Sequence, residues 1–300
     1  MTPMTEFIQK MKEKDIVLHY IQVWHKDELV EEYKRLDQKT RLNVYSVSKS
    51  VTSLGVGIAM GEKLLTAEDR LLDFFPEYRY QDIHPNVRKI TVHDLLTMNC
   101  GLSSKLFFAD DPQRYREHDW VDFFMKNDFG YEPGTHFEYC NFNTYMLSCI
   151  IEKLTGQSLV EYMKPRFFEP LQIGNADWLS CPLGHSAAAN GLMLTIDEMS
   201  AIGRLLLNQG KWEGSTLVPE WYLKEATRNQ ITHDVPKCGY GYQFWINPDY
   251  ESYRADGKYG QYIVVVPEQQ LVISLQALDS KKFFDDVWKD LVVPCREQFR

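Results

Sequence analysis

Apolar and polar positions alternate in blocks that differ between the ends and the middle of the chain. Near the start, Ile16-Val17-Leu18-His19-Tyr20-Ile21-Gln22-Val23-Trp24 is rich in strand formers. His25-Lys26-Asp27 supplies a turn and Glu28-Leu29-Val30-Glu31-Glu32-Tyr33 returns, so the pattern predicts a hairpin. From about Ser46 the apolar positions change to a helical spacing: Val47, Val51, Leu54, Ile58 and Met60, with Gly55, Gly57 and Gly61 between them. Glycine inside a helix costs roughly 0.5–1 kcal/mol relative to alanine. Three of them predict a buried helix whose neighbours pack unusually close.

The middle of the chain, about 64 to 180, reads as helix and loop. Helices are predicted over 119–126, 143–155 and 158–168, the second ending at Gly156 as a C-cap. Thr195, three residues before Glu198, forms a capping box that opens a helix over 195–209, stopped by Gly210. Strand character then returns. Gly239–Ile246 alternates, and Gln261–Val266 and Leu271–Leu275 flank Pro267-Glu268-Gln269-Gln270 as an antiparallel hairpin. After Asp279-Ser280 a final helix places Phe283, Phe284, Val287, Trp288 and Leu291 on one face. Strands at both ends with helices between them predict an α/β (α+β) architecture. An antiparallel sheet built from both termini (about 1–62 and 185–300) would carry a mostly helical inserted lobe (about 63–184), with a cleft between them as the natural place for a site.

Composition narrows the function classes. The 300 residues are 44% hydrophobic and 13% aromatic, enough for a large core and unlike a disordered chain. A formal charge of -9 and the lack of a basic run argue against nucleic acid as a partner. No apolar run approaches membrane-spanning length, and the first residues show no basic region followed by an apolar one, so no membrane span and a cytoplasmic location are expected. The six cysteines are scattered without a C-x-x-C pair, which predicts reduced, mostly buried thiols and no metal site. No cofactor fingerprint is present. The run Gly55-Val56-Gly57-Ile58-Ala59-Met60-Gly61 has its third glycine misplaced for dinucleotide binding and no strand directly before it.

Three motifs carry chemistry. In Ser46-Val47-Ser48-Lys49 a serine precedes a lysine by one helical turn, so the amine shares a face with the hydroxyl and is placed to take its proton. A serine at a helix head also brings its own N–H and the helix dipole to an oxyanion. Tyr139-Cys140-Asn141 combines a phenol for proton transfer with an amide that offers a donor and an acceptor. Lys258-Tyr259-Gly260 opens the strand beginning at Gln261. There Lys258, at the start of an edge strand, would attract a carboxylate and hold a nearby tyrosine ionised, Gly260 would let the backbone approach a ligand, and the Gln261 N–H would serve as an oxyanion donor. A rival, Lys237-Cys238-Gly239, fits the start of an inner strand and is set aside.

Together, and in this order, the motifs resemble those of the penicillin-recognising serine hydrolases, in particular the class C β-lactamase, D-alanyl-D-alanine carboxypeptidase and esterase branch. The resemblance spans about residues 15 to 290. It implies a β-lactamase/transpeptidase-like fold and an acyl-enzyme on Ser46. By the same resemblance Lys49 accepts or relays the serine proton, Tyr139 is general base and then acid, and Asn141 holds the substrate amide. Lys258 supports the electrostatics, with Ser46 and Gln261 N–H forming the oxyanion hole. Two lysines beside Tyr139 should lower its pKa. Tyr259 departs from the small residue usual at that place and would narrow the cleft. The expected partner is a small-molecule amide, peptide, β-lactam or ester. The alternative is a penicillin-binding or sensing protein that acylates without efficient turnover.

Overall fold

A computed structural model describes residues 1–80, 82–105, 114, 116–174, 176–231 and 238–300. Its sheet has six strands, all antiparallel: β1 (Leu18–His25), β2 (Glu28–Lys34), β3 (Trp245–Ile246), β4 (Tyr253–Gly257), β5 (Gln261–Val266) and β6 (Leu271–Ala277), in the spatial order β2-β1-β6-β5-β4-β3. The chain ends therefore do meet in one sheet, with β1 registered on β6 from Leu18↔Ala277 to His25↔Leu271. Both predicted hairpins are present.

Helices cover the two faces. On one side lie α1 (Pro3–Glu13) and the C-terminal helical run from Phe284 to Gln298. The α1 helix was not expected from the sequence. Thr2 caps it, Pro3 fills its first turn, and Met4, Phe7 and Met11 form a buried stripe against Ile21, Val23, Ile273 and Leu291. The final run carries Phe283, Val287 and Leu291 inward as anticipated, though its centre, Trp288–Val292, is a π-turn.

The opposite face is covered by α2 (Val47–Gly61) and the helical lobe, which contributes α3 (Val92–Leu96), α4 (Trp120–Met125) and α5 (Asn141–Thr155), together with α6 (Ile196–Leu207). Every residue of α2 from Val47 to Met60 is buried. Its glycines are explained by contact: a Cβ on Gly57 would lie 2.4 Å from the Tyr222 ring, and one on Gly55 would lie 2.9 Å from Met163 Sδ. The capping box of Thr195 and Glu198 is formed, and Gly156 closes α5 in the left-handed conformation.

Two strand expectations need correction. Gly239–Ile246 is not one strand: only Trp245–Ile246 pairs continuously, and Gln243 takes a positive φ of 63°. The reason is Gln243 itself. Buried in the lobe, it donates from Nε2 to the Leu95 and Leu96 carbonyls at 3.0 and 2.9 Å, and it accepts from Thr144 Oγ1 at 2.6 Å. Its carbonyl accepts from Ser50 Oγ at 2.6 Å. One residue thus ties α2, α3 and α5 together, which outweighs the alternation of its neighbours. Second, β5 is not an edge strand. It lies between β6 and β4, and β4 was not anticipated. Among the described residues no helix is long and apolar enough to cross a membrane.

Candidate active site

Four of the seven candidate residues converge where α2 meets α5. Ser46 stands at the head of α2, half-buried, directly after Tyr45, whose φ of 47° puts a bulky residue in the left-handed region. The bend turns the serine toward the cleft while Val47, Ser48 and Lys49 enter the first turn through bonds to the Val44, Tyr45 and Ser46 carbonyls. One turn on, Lys49 is buried, 1% exposed, with Nζ 3.0 Å from Ser46 Oγ. Its other neighbours are Asn141 Oδ1 at 2.8 Å and the Ala189 carbonyl at 2.9 Å. The Tyr139 ring centroid lies 4.9 Å from Nζ, and the Tyr139 hydroxyl is hydrogen-bonded to Ser46. Trp245 stacks on Tyr139 at 5.4 Å between centroids.

Burial sets the protonation states. Removing Lys49 from water brings its pKa down to about 7. Burial pushes the Tyr139 phenol up, well above its ordinary value, against the smaller downward pull of its bond to Ser46. This overturns the expectation that two lysine cations would lower the Tyr139 pKa. Lys49 loses its own charge near neutrality. Lys258 is exposed on the β4–β5 turn, its amine 5.0 Å from the Tyr259 ring.

The third motif is placed differently from the first two. Tyr259 has a φ of 66° and its ring meets Tyr45 edge-on at 4.9 Å, forming one wall beside the serine. Gly260, with a φ of 85°, is needed by the turn and by Phe283, which a Cβ would approach to 2.5 Å; it faces the C-terminal helices. The Gln261 side chain is buried and donates to the Ala277 carbonyl at 2.5 Å. The glycine that permits a close approach on the cleft side is Gly257, where a Cβ would lie 2.3 Å from the Val44 carbonyl. The end of β4 therefore abuts the Ser46 turn. Lys237 of the rival motif lies outside the described residues.

Two contributors were missed by sequence reasoning. The Ala189 carbonyl is a backbone group and leaves no side-chain signal. Its segment is pinned by Thr52 Oγ1 to the Ala188 carbonyl at 3.1 Å and Ser148 Oγ to the Ser186 carbonyl at 2.9 Å. Arg254, which bonds Asp256 at 2.9 Å, belongs with it to the charged groups that Tyr139 senses. Their alternation along β4 was overlooked because β4 was.

The family model for beta-lactamase matches residues 5–289. The chain belongs to the beta-lactamase family. Over 149 residues it is 31% identical to a D-aminopeptidase of Brucella anthropi, a stretch covering 48% of this chain and 27% of that protein, so the match spans about a quarter of the relative's length. Its fold is similar to a penicillin-binding protein homologue from Pyrococcus abyssi, described as octameric, with a TM-score of 0.75 at 19% identity, covering 97% of this chain and 76% of that one. A penicillin binding protein from Bacillus halodurans superposes equally well, TM-score 0.75 at 15% identity, over 96% and 99% of the two chains.

Proposed function

We propose that this beta-lactamase family member is a serine hydrolase that cleaves a small amide, peptide or ester through an acyl-enzyme on Ser46. The observation that carries the reading is the geometry around Lys49. A neutral amine has two N–H donors and one lone pair. With Asn141 Oδ1 and the Ala189 carbonyl as acceptors for the donors, the lone pair is left for the Ser46 hydroxyl at 3.0 Å. A pKa of about 7 supplies that neutral form at physiological pH.

Lys49 is therefore the base of acylation. Ser46 Oγ bonds to the substrate carbonyl carbon as its proton passes to Lys49. The Ser46 N–H, at the head of α2, and a backbone N–H from the end of β4 stabilise the oxyanion. Tyr139, kept protonated by burial and hydrogen-bonded to Ser46, is the acid beside the leaving group. Collapse breaks the bond to the leaving group, which takes that proton. Water then releases the acyl group by the reverse path. Asn141 both orients Lys49 and faces the acyl portion. All six cysteines are free thiols, which supports a reducing compartment as the place of action.

The test is intact-mass spectrometry with a penicillin and with a p-nitrophenyl ester, on wild type and Ser46→Ala. A Ser46-dependent adduct that decays with product release supports a hydrolase. An adduct that persists on wild type selects the alternative, a protein that acylates and holds. Turnover retained by Ser46→Ala sinks the acyl-enzyme reading.

A further inference from the structure

Arg114 is a cation that none of the three motifs includes. Its guanidinium stands over the Trp120 ring at 5.7 Å and donates from Nη2 to Asn190 Oδ1 at 3.3 Å. With Asn141, Ala189 and Asn190 it lines a narrow crevice. Asn141 and Ala189 also hold Lys49, through Oδ1 and the main-chain carbonyl, so Arg114 shares two lining residues with the catalytic amine. Asn190 is itself fixed, its carbonyl accepting from Trp178 Nε1 at 3.0 Å. The partners described for Arg114 are thus an amide oxygen and an indole face, both neutral. A guanidinium carries five N–H donors in a planar fork matched to a carboxylate, and a half-buried one gains most from such a partner.

Direction follows from Tyr139. The acid must sit beside the leaving group, and Tyr139 lies against Trp245, at the β3 side of the cleft. An acyl portion that passes Asn141 instead would meet the crevice that Asn141 shares with Arg114. We infer that Arg114 selects substrates whose acyl group bears a carboxylate a few carbons from the scissile carbonyl. The class comprises monoamides and monoesters of short dicarboxylic acids and side-chain amides of that kind. This inference rests on the acyl-enzyme reading of Ser46.

The test compares p-nitrophenyl hydrogen adipate with p-nitrophenyl hexanoate, which share a chain length and a leaving group. Wild type is expected to favour the adipate in kcat/KM by about tenfold or more, as a charge-assisted bond provides. The preference should fall as ionic strength rises. Arg114→Gln should bring the ratio near one, mainly through KM, and Arg114→Lys should restore part of it. A wild-type ratio near one, a preference indifferent to salt, or a ratio unchanged in folded Arg114→Gln overturns the inference while leaving the hydrolase intact. Hydrolysis of both esters by Ser46→Ala, or of neither by wild type, removes the acyl-enzyme reading and this inference with it.

Discussion

Asn141 Oδ1 lies 2.8 Å from Lys49 Nζ and fixes one hydrogen of the amine that faces Ser46. Because this acceptor is a neutral amide, it orients Lys49 without holding a proton on it. The base limb of kcat/KM should therefore have its midpoint near 7, activity rising with pH as Lys49 deprotonates. Asn141→Asp puts a carboxylate at the same place, favours the ammonium, and should move that limb up by roughly a unit or more. The profile measured from pH 5 to 10 decides; a wild-type limb near 10 would take the role of base away from Lys49.

Lys49→Met should separate stability from activity. Turnover should fall by about a thousandfold or more, since the base is gone. The folded protein should nevertheless gain roughly 1–3 kcal/mol at pH 7, because a buried amine is replaced by an apolar side chain of similar length. The sign of the pH dependence follows from the depressed pKa. Between about 7 and the ordinary lysine value of 10.5 the unfolded chain holds one proton more than the folded one, so wild-type stability rises with pH across that window and this contribution is flat below it. Over nearly three pH units this amounts to about 3–4 kcal/mol, so the variant's advantage in urea unfolding should shrink from pH 7 and reverse by pH 10. A constant difference would contradict a neutral Lys49.

Gly257→Ala should damage the site from a position that carries no chemistry. The added methyl would meet the Val44 carbonyl at 2.3 Å, two residues before Ser46. Either β4 or the Ser46 turn must retreat, costing about 1–3 kcal/mol. Activity should drop further than stability does, as seen by comparing kcat with the melting midpoint. Gly260→Ala is the contrast: its clash is with Phe283 on the far face, and its φ of 85° is itself unfavourable for alanine, so stability should suffer first.

Gln243→Leu should cost about 2–4 kcal/mol in denaturant unfolding. It removes the donors to the Leu95 and Leu96 carbonyls and the acceptor of Thr144, leaving buried polar groups unpaired. A loss under 1 kcal/mol would show that these helices hold together without it.

The sheet hairpins, the buried glycine helix and the capped helices were legible because each is a local pattern: alternation, 3.6-residue spacing, a capping pair. The α1 helix was legible too, in Thr2-Pro3 and the Met4, Phe7, Met11 stripe, and was overlooked. Ser46, Lys49, Tyr139 and Asn141 could be read because two short motifs hold them at fixed spacing. The third motif could not be placed the same way. Its register depends on which strand lies beside the Ser46 turn, and β4 has mixed polarity because Arg254 and Asp256 pair with each other on one face while Tyr253 and Ala255 join the core on the other. The protonation states were also out of reach. They follow from how completely Lys49 is enclosed, a property of the packed lobe rather than of any segment.

The Ala189 carbonyl offers a last consequence. A hydrogen-bond acceptor made of peptide backbone is supplied by any residue, so the bond to Lys49 does not itself require a particular side chain at 189. The constraint passes to the path of the chain around it, where Ala188 has a φ of 59° and Gly191 a φ of 86°. In related chains the feature to follow here is therefore a shape, two left-handed residues bracketing a carbonyl, which an amino-acid alphabet records only indirectly.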